Sequence, residues 1–454
     1  MRLLFDHGTL VLAEPPDLEL DFVPGLVWDP RVALFRAPAY RYAAIVDALR
    51  SRGLAFRDEV VGAAPGPADA WKNPELRPYQ RGALLSWELA AGQGILVMPT
   101  GSGKTRVALA AMASTRCRTL CLVPTRALLQ QWVSELSAVY GGSVGCLGDG
   151  SHRIEPITVA TFESAYRNMH SIGRRFDLLI VDEVHHFGVG VRDEVLEMCV
   201  AERRLGLTAT PPHDPALDRL GALIGPIVYQ VGVGDLAGTW LSEFDLVLVP
   251  LGLDAEERAR YSDDQALFAE LNRRFRSLHP DGSWQELVAA ASQTPEGRQA
   301  IEAWRRNRRL LSFTRAKDRA VGTLLTRHRG SRVLVFTADN AAAYAIARRY
   351  LVMPMTCDIS RGERESALDA FRRGELRSLV SARVLNEGID VPDADVAIIV
   401  GGTLGEREHV QRVGRLLRPV QGKRATVYEL VTVSTSEVRR AFDRRRGLVA
   451  AGAA

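Results

Sequence analysis

From Trp71 to about residue 240, short apolar runs alternate with helix-length segments. The runs are "GILVMP", "TLCLVP", "ITVAT", "DLLIVDE" and "RLGLTAT". Runs of this length, apolar throughout, read as strands buried on both faces. With helices between several of them, they predict a parallel sheet covered on both sides. A second alternating region follows, carried by "RVLVFT", "SLVSARV", "DVAIIVG" and "TVYELVTV". Between the two lies a polar, Arg-rich, helix-like stretch at about 254–315. Ahead of them, residues 1–61 hold the strand-like runs "TLVLAEP" and "DLELDFV". The helix-like "YRYAAIVDALRSRG" comes next, with apolar residues at helical spacing and a closing glycine. The Gly/Pro/Ala content of "GAAPGPADA" at 62–70 suggests a linker. The pattern predicts an α/β chain: a small N-terminal α+β domain and linker over 1–70, an α/β domain over 71–240, a helical insertion over 241–315 and a second α/β domain over 316–454.

Composition narrows this only modestly. A chain of 454 residues exceeds one ordinary core. Its 46% hydrophobic and 25% charged residues describe a soluble globular protein, not a disordered or fibrous one. No apolar run approaches the roughly 18 residues that span a bilayer, and "MRLLFDHG" loses its apolar character at Asp6 and His7. A monomer in the cytoplasm with no membrane role is the expectation. The five cysteines are scattered; Cys117 and Cys121 lack a second pair at zinc spacing and read as buried small residues. A net charge of +4 permits nucleic-acid binding without demonstrating it. The cluster "RRNRRL" at 305–310 reads as a solvated helix face.

Two motifs carry chemistry. "PTGSGKT" at 99–105 joins an apolar strand to the helix-like "TRVALAAMAS". In Thr100-Gly101-Ser102-Gly103, the glycines let backbone N–H groups turn toward phosphate oxygens beside a helix N-terminus. Lys104 can reach the β- and γ-phosphates of ATP, and the Thr105 hydroxyl can ligate Mg2+. The full phosphate-loop pattern asks for glycine where this chain has Met98. Downstream, "LLIVDEVHH" brings Asp182 and Glu183 to the end of a strand, where α/β folds place ligands. Asp182 suits Mg2+ and Glu183 suits the attacking water as general base. Alone, the first motif also fits a glycine-rich turn and the second a solvated strand end; their order favours nucleotide hydrolysis.

"DEVH" beside "PTGSGKT" resembles the DExH signature of superfamily 2 helicases, and seven further blocks stand in that family's order. They are "LRPYQ" (76–80), "VPTRALLQQW" (123–132), "TFES" (161–164), "LTATPP" (207–212), "VLVFT" (333–337) and "NEGIDVP" (386–392), closed by "QRVGRLLRP" (411–419). "LRPYQ", "NEGIDVPDADVAIIVGGT" and "EREHVQRVGRLLRP", and more loosely "WDPRVALFRAPAYRYAAIVDALRSRG", are similar to XPB-type DNA helicases and translocases. That resemblance implies two RecA-like parallel-sheet domains with ATP in the cleft between them. It also implies a damage-recognition-like N-terminal domain and a thumb-like insertion. It assigns Gln80 to the adenine edge and Arg77 or Tyr79 to stacking on that base, Gly388 and Asp390 to the ribose, and Arg415 and Arg418 to the phosphates. Gln411 would link nucleotide state to closure. His185, Thr208 and Thr210 would couple nucleotide to nucleic acid, and Arg126, Thr161 and Thr337 would touch the strand. An ordinary structural role stays open for His185, Thr161 and Thr337.

The implied activity is an ATP-dependent, 3′→5′ DNA helicase or translocase in repair or remodelling. The alternatives are a DExH RNA helicase and an ATP-gated DNA clamp that recruits a repair nuclease. The family's Arg-Glu-Asp tripeptide, associated with strand separation, occurs nowhere in the chain. Asn386 stands where an acid is expected. The aromatics Phe244, Phe268, Phe275, Trp284 and Trp304 read as a small helical core in preference to a base-stacking surface.

Overall fold

The computed structural model describes residues 1–13, 20–61, 66–67, 69–212, 215–236, 243–382, 394–401 and 424–442. The chain forms two compact units, Met1–Gly232 and Val233–Ala454. The first begins with a five-stranded sheet ordered Val27–Asp29, Leu34–Pro38, Thr9–Ala13, Arg2–Asp6, Arg57–Asp58. The helix Tyr42–Ser51 buries Ile45, Val46 and Leu49, in one cluster with Leu3, Leu10 and Leu12 of the strands. This is the amphipathic helix the spacing predicts, and Gly53 ends it in the left-handed region (φ +67°). Of "DLELDFV", residues 17–19 lie outside the described residues and 20–23 are not a strand: residues 21–22 form a turn, while Leu20 and Val23 pack into the core.

The nucleotide-type motifs belong to the second sheet of this unit. Its elements, with the helices between them, are α1 (Pro78–Leu89), β1 (Gln93–Val97), α2 (Lys104–Thr115), β2 (Thr119–Val123), α3 (Arg126–Val139), β3 (Ile157–Thr161), α4 (Phe162–Ile172), β4 (Leu178–Asp182) and β5 (Arg203–Thr208). The strand order is Ile227–Gln230, β1, β5, β4, β2, β3, Val144–Gly148, Ser151–Arg153, parallel except at the last pair. Register levels the strand ends: Thr208 pairs with Val97, Asp182 with Leu207, and Thr161 with Val123. Every motif on these strands therefore leaves the sheet at one edge. Both faces are covered. Trp87, Met112, Trp132 and Leu136 lie in one core cluster, and Phe162, Met169, Phe176 and Phe187 in the other.

At the opposite edge, Arg204 near the start of β5 is almost wholly buried. Its guanidinium donates to the carbonyls of Leu196 (3.0 Å), Cys199 (2.6 Å), Ala201 (2.9 Å) and Leu223 (2.7 Å). Carbonyls left over at the ends of two helices thereby find a charged donor.

The second unit holds a six-stranded, wholly parallel sheet. Its order is Glu243–Leu251, Arg424–Thr432, Val396–Ile399, Val333–Phe336, Ser378–Ser381, Met353–Met355. Glu243–Leu251 pairs with Arg424–Thr432 over its whole length. The stretch expected to be helical from residue 241 thus opens with a sheet strand, "EFDLVLVPL", whose valines and leucines suit a ladder. The helices begin at Ala255: Ala255–Leu278, Trp284–Ser292 and Pro295–Ser312. Phe275 is buried there with Leu287, Ala291 and Ile301, as a core reading requires. Phe268, Trp284 and Trp304 form a partly exposed ring cluster with centroids 4.6–6.2 Å apart, and Trp284 is 44% exposed. Phe244 lies on the strand. The "RRNRRL" arginines are largely ion-paired: Arg305 and Arg309 with Glu302, and Arg306 with Asp264. No helix among the described residues is long and apolar enough to cross a membrane.

Replacing Arg204 with leucine removes one donor from four carbonyls. Unfolding of the first unit in urea should then lose about 3 kcal/mol or more, given roughly 1.5–3 kcal/mol for a hydrogen bond from a charged group. A midpoint equal to wild type would show that Arg204 is dispensable to the fold.

Candidate functional site

The loop between β1 and α2 is shaped by its own hydrogen bonds. Met98 N donates to Thr208 O (2.9 Å) as the last rung between β1 and β5. Ser102 closes a turn by donating N (3.2 Å) and Oγ (2.7 Å) to Pro99 O. Gly101 (φ +82°) and Gly103 (φ +80°) take left-handed conformations that other residues enter at a cost. Met98 needs no such freedom: its φ is negative and its side chain fills the core, so the departure from the glycine pattern is harmless. Lys104 opens α2 with only 9% of its surface exposed, its ammonium donating to Met98 O at 3.2 Å. Thr105 follows on the first turn. The Thr100 hydroxyl is buried and finds no hydrogen-bond partner among the described residues.

The sequence expects Gln80 to face an adenine. In the structure its amide is 2% exposed and engaged at both ends. Nε2 donates to Ser102 O (2.7 Å), and Oε1 accepts from Arg77 N (2.9 Å). Tyr79 Oη donates to the same Ser102 carbonyl (2.7 Å). A Cβ on Gly103 would lie 2.4 Å from Gln80 Nε2, so the glycine also makes room for this brace.

Asp182, 6% exposed at the end of β4, accepts one bond on each oxygen. Trp132 Nε1 donates to Oδ2 (2.9 Å) and Glu183 N to Oδ1 (3.0 Å). Burial pushes its carboxyl above the usual range, while the Lys104 ammonium, the indole and the Glu183 N–H act against that. Glu183 leaves the strand in a left-handed conformation (φ +52°). Its Oε2 lies 3.4 Å from His185 Nδ1, which lies 3.0 Å from Thr208 Oγ1. Thr208 Oγ1 in turn donates to Thr210 O (2.8 Å). One chain of polar contacts therefore runs from the acid after β4 to the Thr-Ala-Thr loop after β5.

The candidate strand contacts differ in exposure. Arg126, at the first position of α3, is exposed and 3.8 Å from Asp149. Thr161 is buried and caps α4, accepting from Ser164 N at 3.2 Å. Thr337, on the second unit, is buried and donates to Asp339 O at 2.9 Å. Both threonine hydroxyls serve their own loops. Gly388, Asp390, Gln411, Arg415 and Arg418 lie outside the described residues.

Sequence reasoning passed over Trp132. The signal was present: Leu129, Trp132 and Leu136 recur on one face of α3, and a buried indole N–H usually finds an acceptor.

Three family descriptions match the chain. Residues 3–60 match the xeroderma pigmentosum group B helicase damage recognition domain. Residues 73–213 match the type III restriction enzyme, res subunit, and residues 316–420 the helicase conserved C-terminal domain. The chain is 34% identical over 427 residues to the "DNA 3'-5' translocase XPB2" of Sulfurisphaera tokodaii, covering 94% of this chain and 96% of that protein. Among solved structures it resembles the Pyrococcus furiosus Hef helicase domain (TM-score 0.53, 17% identity, 82% of this chain and 98% of that one). It also resembles S. cerevisiae Dbp5 bound to RNA and ADP BeF3 (TM-score 0.56, 14% identity, 82% and 87%). At these identities the structural likeness carries the fold: two RecA-like parallel-sheet domains.

If Gln80 chiefly braces the loop, Gln80→Ala, which loses the bond to Ser102 O as well as the one from Arg77 N, should weaken ATP and GTP binding by the same factor, roughly twofold to tenfold for the bond made to the loop. Competition against a fluorescent nucleotide measures both. A loss confined to ATP would mark the amide as an adenine contact instead.

Proposed function

The chain belongs to the XPB-type superfamily 2 helicases, and from that membership we propose that it is an ATP-driven motor that tracks DNA in the 3′→5′ direction. DNA-dependent ATPase activity follows from the family. The observation that carries the mechanism is the convergence of Lys104, Asp182, Glu183, His185 and Thr208 at one sheet edge, with Glu183 joined to Thr208 through His185.

The loop fits a triphosphate. Two left-handed glycines open it, the first turn of α2 presents backbone N–H groups toward it, and the Thr100 hydroxyl awaits an acceptor. Lys104 can exchange its weak carbonyl contacts for phosphate oxygens at little cost. Thr105 and Asp182 offer the hard oxygen ligands that suit Mg2+, which when bound would neutralise charge developing on the β- and γ-oxygens. Glu183, on its left-handed turn, is the general base for the attacking water. Its contact with His185 makes the state of that base sensitive to the Thr208–Thr210 loop. Arg415 and Arg418 of the second RecA-like domain are proposed to stabilise the transferring phosphoryl group, with Gly388, Asp390 and Gln411 completing the nucleotide contacts.

DNA is the proposed track, and its phosphates are gripped without regard to sequence through exposed donors such as Arg126. Missing the Arg-Glu-Asp tripeptide, the chain is proposed to translocate on duplex more readily than it opens one. The reading takes it to work as a cytoplasmic monomer.

Adding DNA should raise ATP turnover well above the effect of matched RNA, and Lys104→Ala should abolish that turnover. Arg415→Ala should keep ATP binding and lower turnover by about 10³–10⁵. A DNA third strand should be displaced under conditions that leave a duplex closed. Turnover indifferent to DNA would remove the motor reading, and wild-type turnover in Arg415→Ala would remove the arginine assignment.

A further inference from the structure

The two acids of the site are tied to different elements. Glu183 Oε2 lies 3.4 Å from His185 Nδ1, and that nitrogen is bonded to Thr208 Oγ1 at the end of β5. Asp182 is tied to α3 by Trp132. The local donor on Asp182, Glu183 N, moves with β4 itself, so among the described residues the indole is the hydrogen-bond donor that relates this carboxylate to another element, with the Lys104 charge of α2 nearby. Trp132 is 1% exposed and packed between the buried turns of Leu129 and Leu136. Its N–H goes to a carboxylate oxygen although backbone carbonyls are the commoner partners of buried side-chain donors.

The helix α3 begins at the exposed Arg126, and Trp132 lies at its middle. Thr125 caps it, its hydroxyl accepting from Leu128 N at 3.2 Å. Arg126 and Trp132 are six residues apart, ~9 Å along a continuous helix. A helix that short, pinned by a core face, moves as one body, so a shift imposed at Arg126 arrives at the indole.

We infer that Trp132 is a positioning residue that orients the Asp182 carboxylate for Mg2+ and carries the seating of DNA on α3 to the nucleotide site. The bond on Oδ2 fixes the plane of the carboxylate and leaves its remaining lone pairs for ligation. With Glu183 answering to β5 and Asp182 to α3, hydrolysis depends on two elements being in place together. The coupling half of this inference rests on the DNA-motor reading above; the orientation half does not.

Trp132→Phe keeps a ring in the core and removes the donor. Replacement by benzothienylalanine keeps the indole's shape and also lacks the N–H, which covers the case in which phenylalanine packs too poorly to fold. Leu136→Ala loosens the same helix without touching Asp182. Binding of a fluorescent ADP is titrated with Mg2+, and turnover is measured with and without DNA. The donorless variants should bind ADP alone as wild type does, yet need about 10–100 times more Mg2+ for half-saturation, the scale of losing a metal ligand's hydrogen-bond partner. Their stimulation by DNA should also fall. Leu136→Ala should melt earlier and keep the wild-type Mg2+ requirement. A wild-type Mg2+ requirement in both donorless variants overturns the orientation, as does an equal shift in Leu136→Ala. Undiminished stimulation by DNA in those variants overturns the coupling. If wild type itself ignores DNA, the motor reading fails, while the Mg2+ titration still decides what Trp132 does for Asp182.

Discussion

The site depends on one constraint, the in-register parallel ladder that brings β1, β5, β4, β2 and β3 to a common carboxyl edge. Thr208 opposite Val97, Leu207 opposite Asp182 and Thr161 opposite Val123 are consequences of strands that must bury both faces. A slip of one residue would carry a strand's side chains from one packed face to the other, so the register is held by the separate packing of the two covered faces. Once it is held, residues more than a hundred positions apart arrive at the same edge. Lys104 and Thr208 are brought together in this way.

Within that edge, burial makes each charged group depend on its neighbours. Asp182 would be costly in the core but for the indole, the Glu183 N–H and the Lys104 charge nearby. Arg204 meets the same problem at the far edge and solves it with four carbonyls and no carboxylate. Lys104, by contrast, donates to loop carbonyls of modest strength, as befits a group meant to change partners. The contrast separates a permanent anchor from a working side chain without appeal to anything but hydrogen-bond inventory.

The motifs were legible because each demands a residue type at a fixed spacing on a strand–loop–helix turn. Lys104, Thr105, Asp182 and Glu183 were named this way, and His185, Thr208 and Thr210 as couplers; the contact between His185 and Thr208 was not. Gln80 shows where such reading stops. Its amide can recognise an adenine edge, but whether it faces a base or the Ser102 carbonyl depends on how α1 docks beside the loop. Trp132 shows the converse. A buried aromatic on an amphipathic helix is ordinary, and only the packing of α3 against β4 turns its N–H toward Asp182. The strand Glu243–Leu251 escaped for a related reason. Its partner, Arg424–Thr432, lies far along the chain, and no local pattern announces a pairing of that range.

The sequence by itself determined the α/β class, the buried strands and the order of the motifs, because periodicity and phosphate-loop geometry are local properties of the chain. Tertiary structure alone decided which donor meets which acceptor. It set Gln80 on the loop, Trp132 on Asp182, His185 between Glu183 and Thr208, and the hydroxyls of Thr161 and Thr337 on their own backbones. A hydrogen bond is made or lost over about half an ångström and a few tens of degrees. Those limits are met or missed only when separate elements have packed, and no spacing along the chain encodes them.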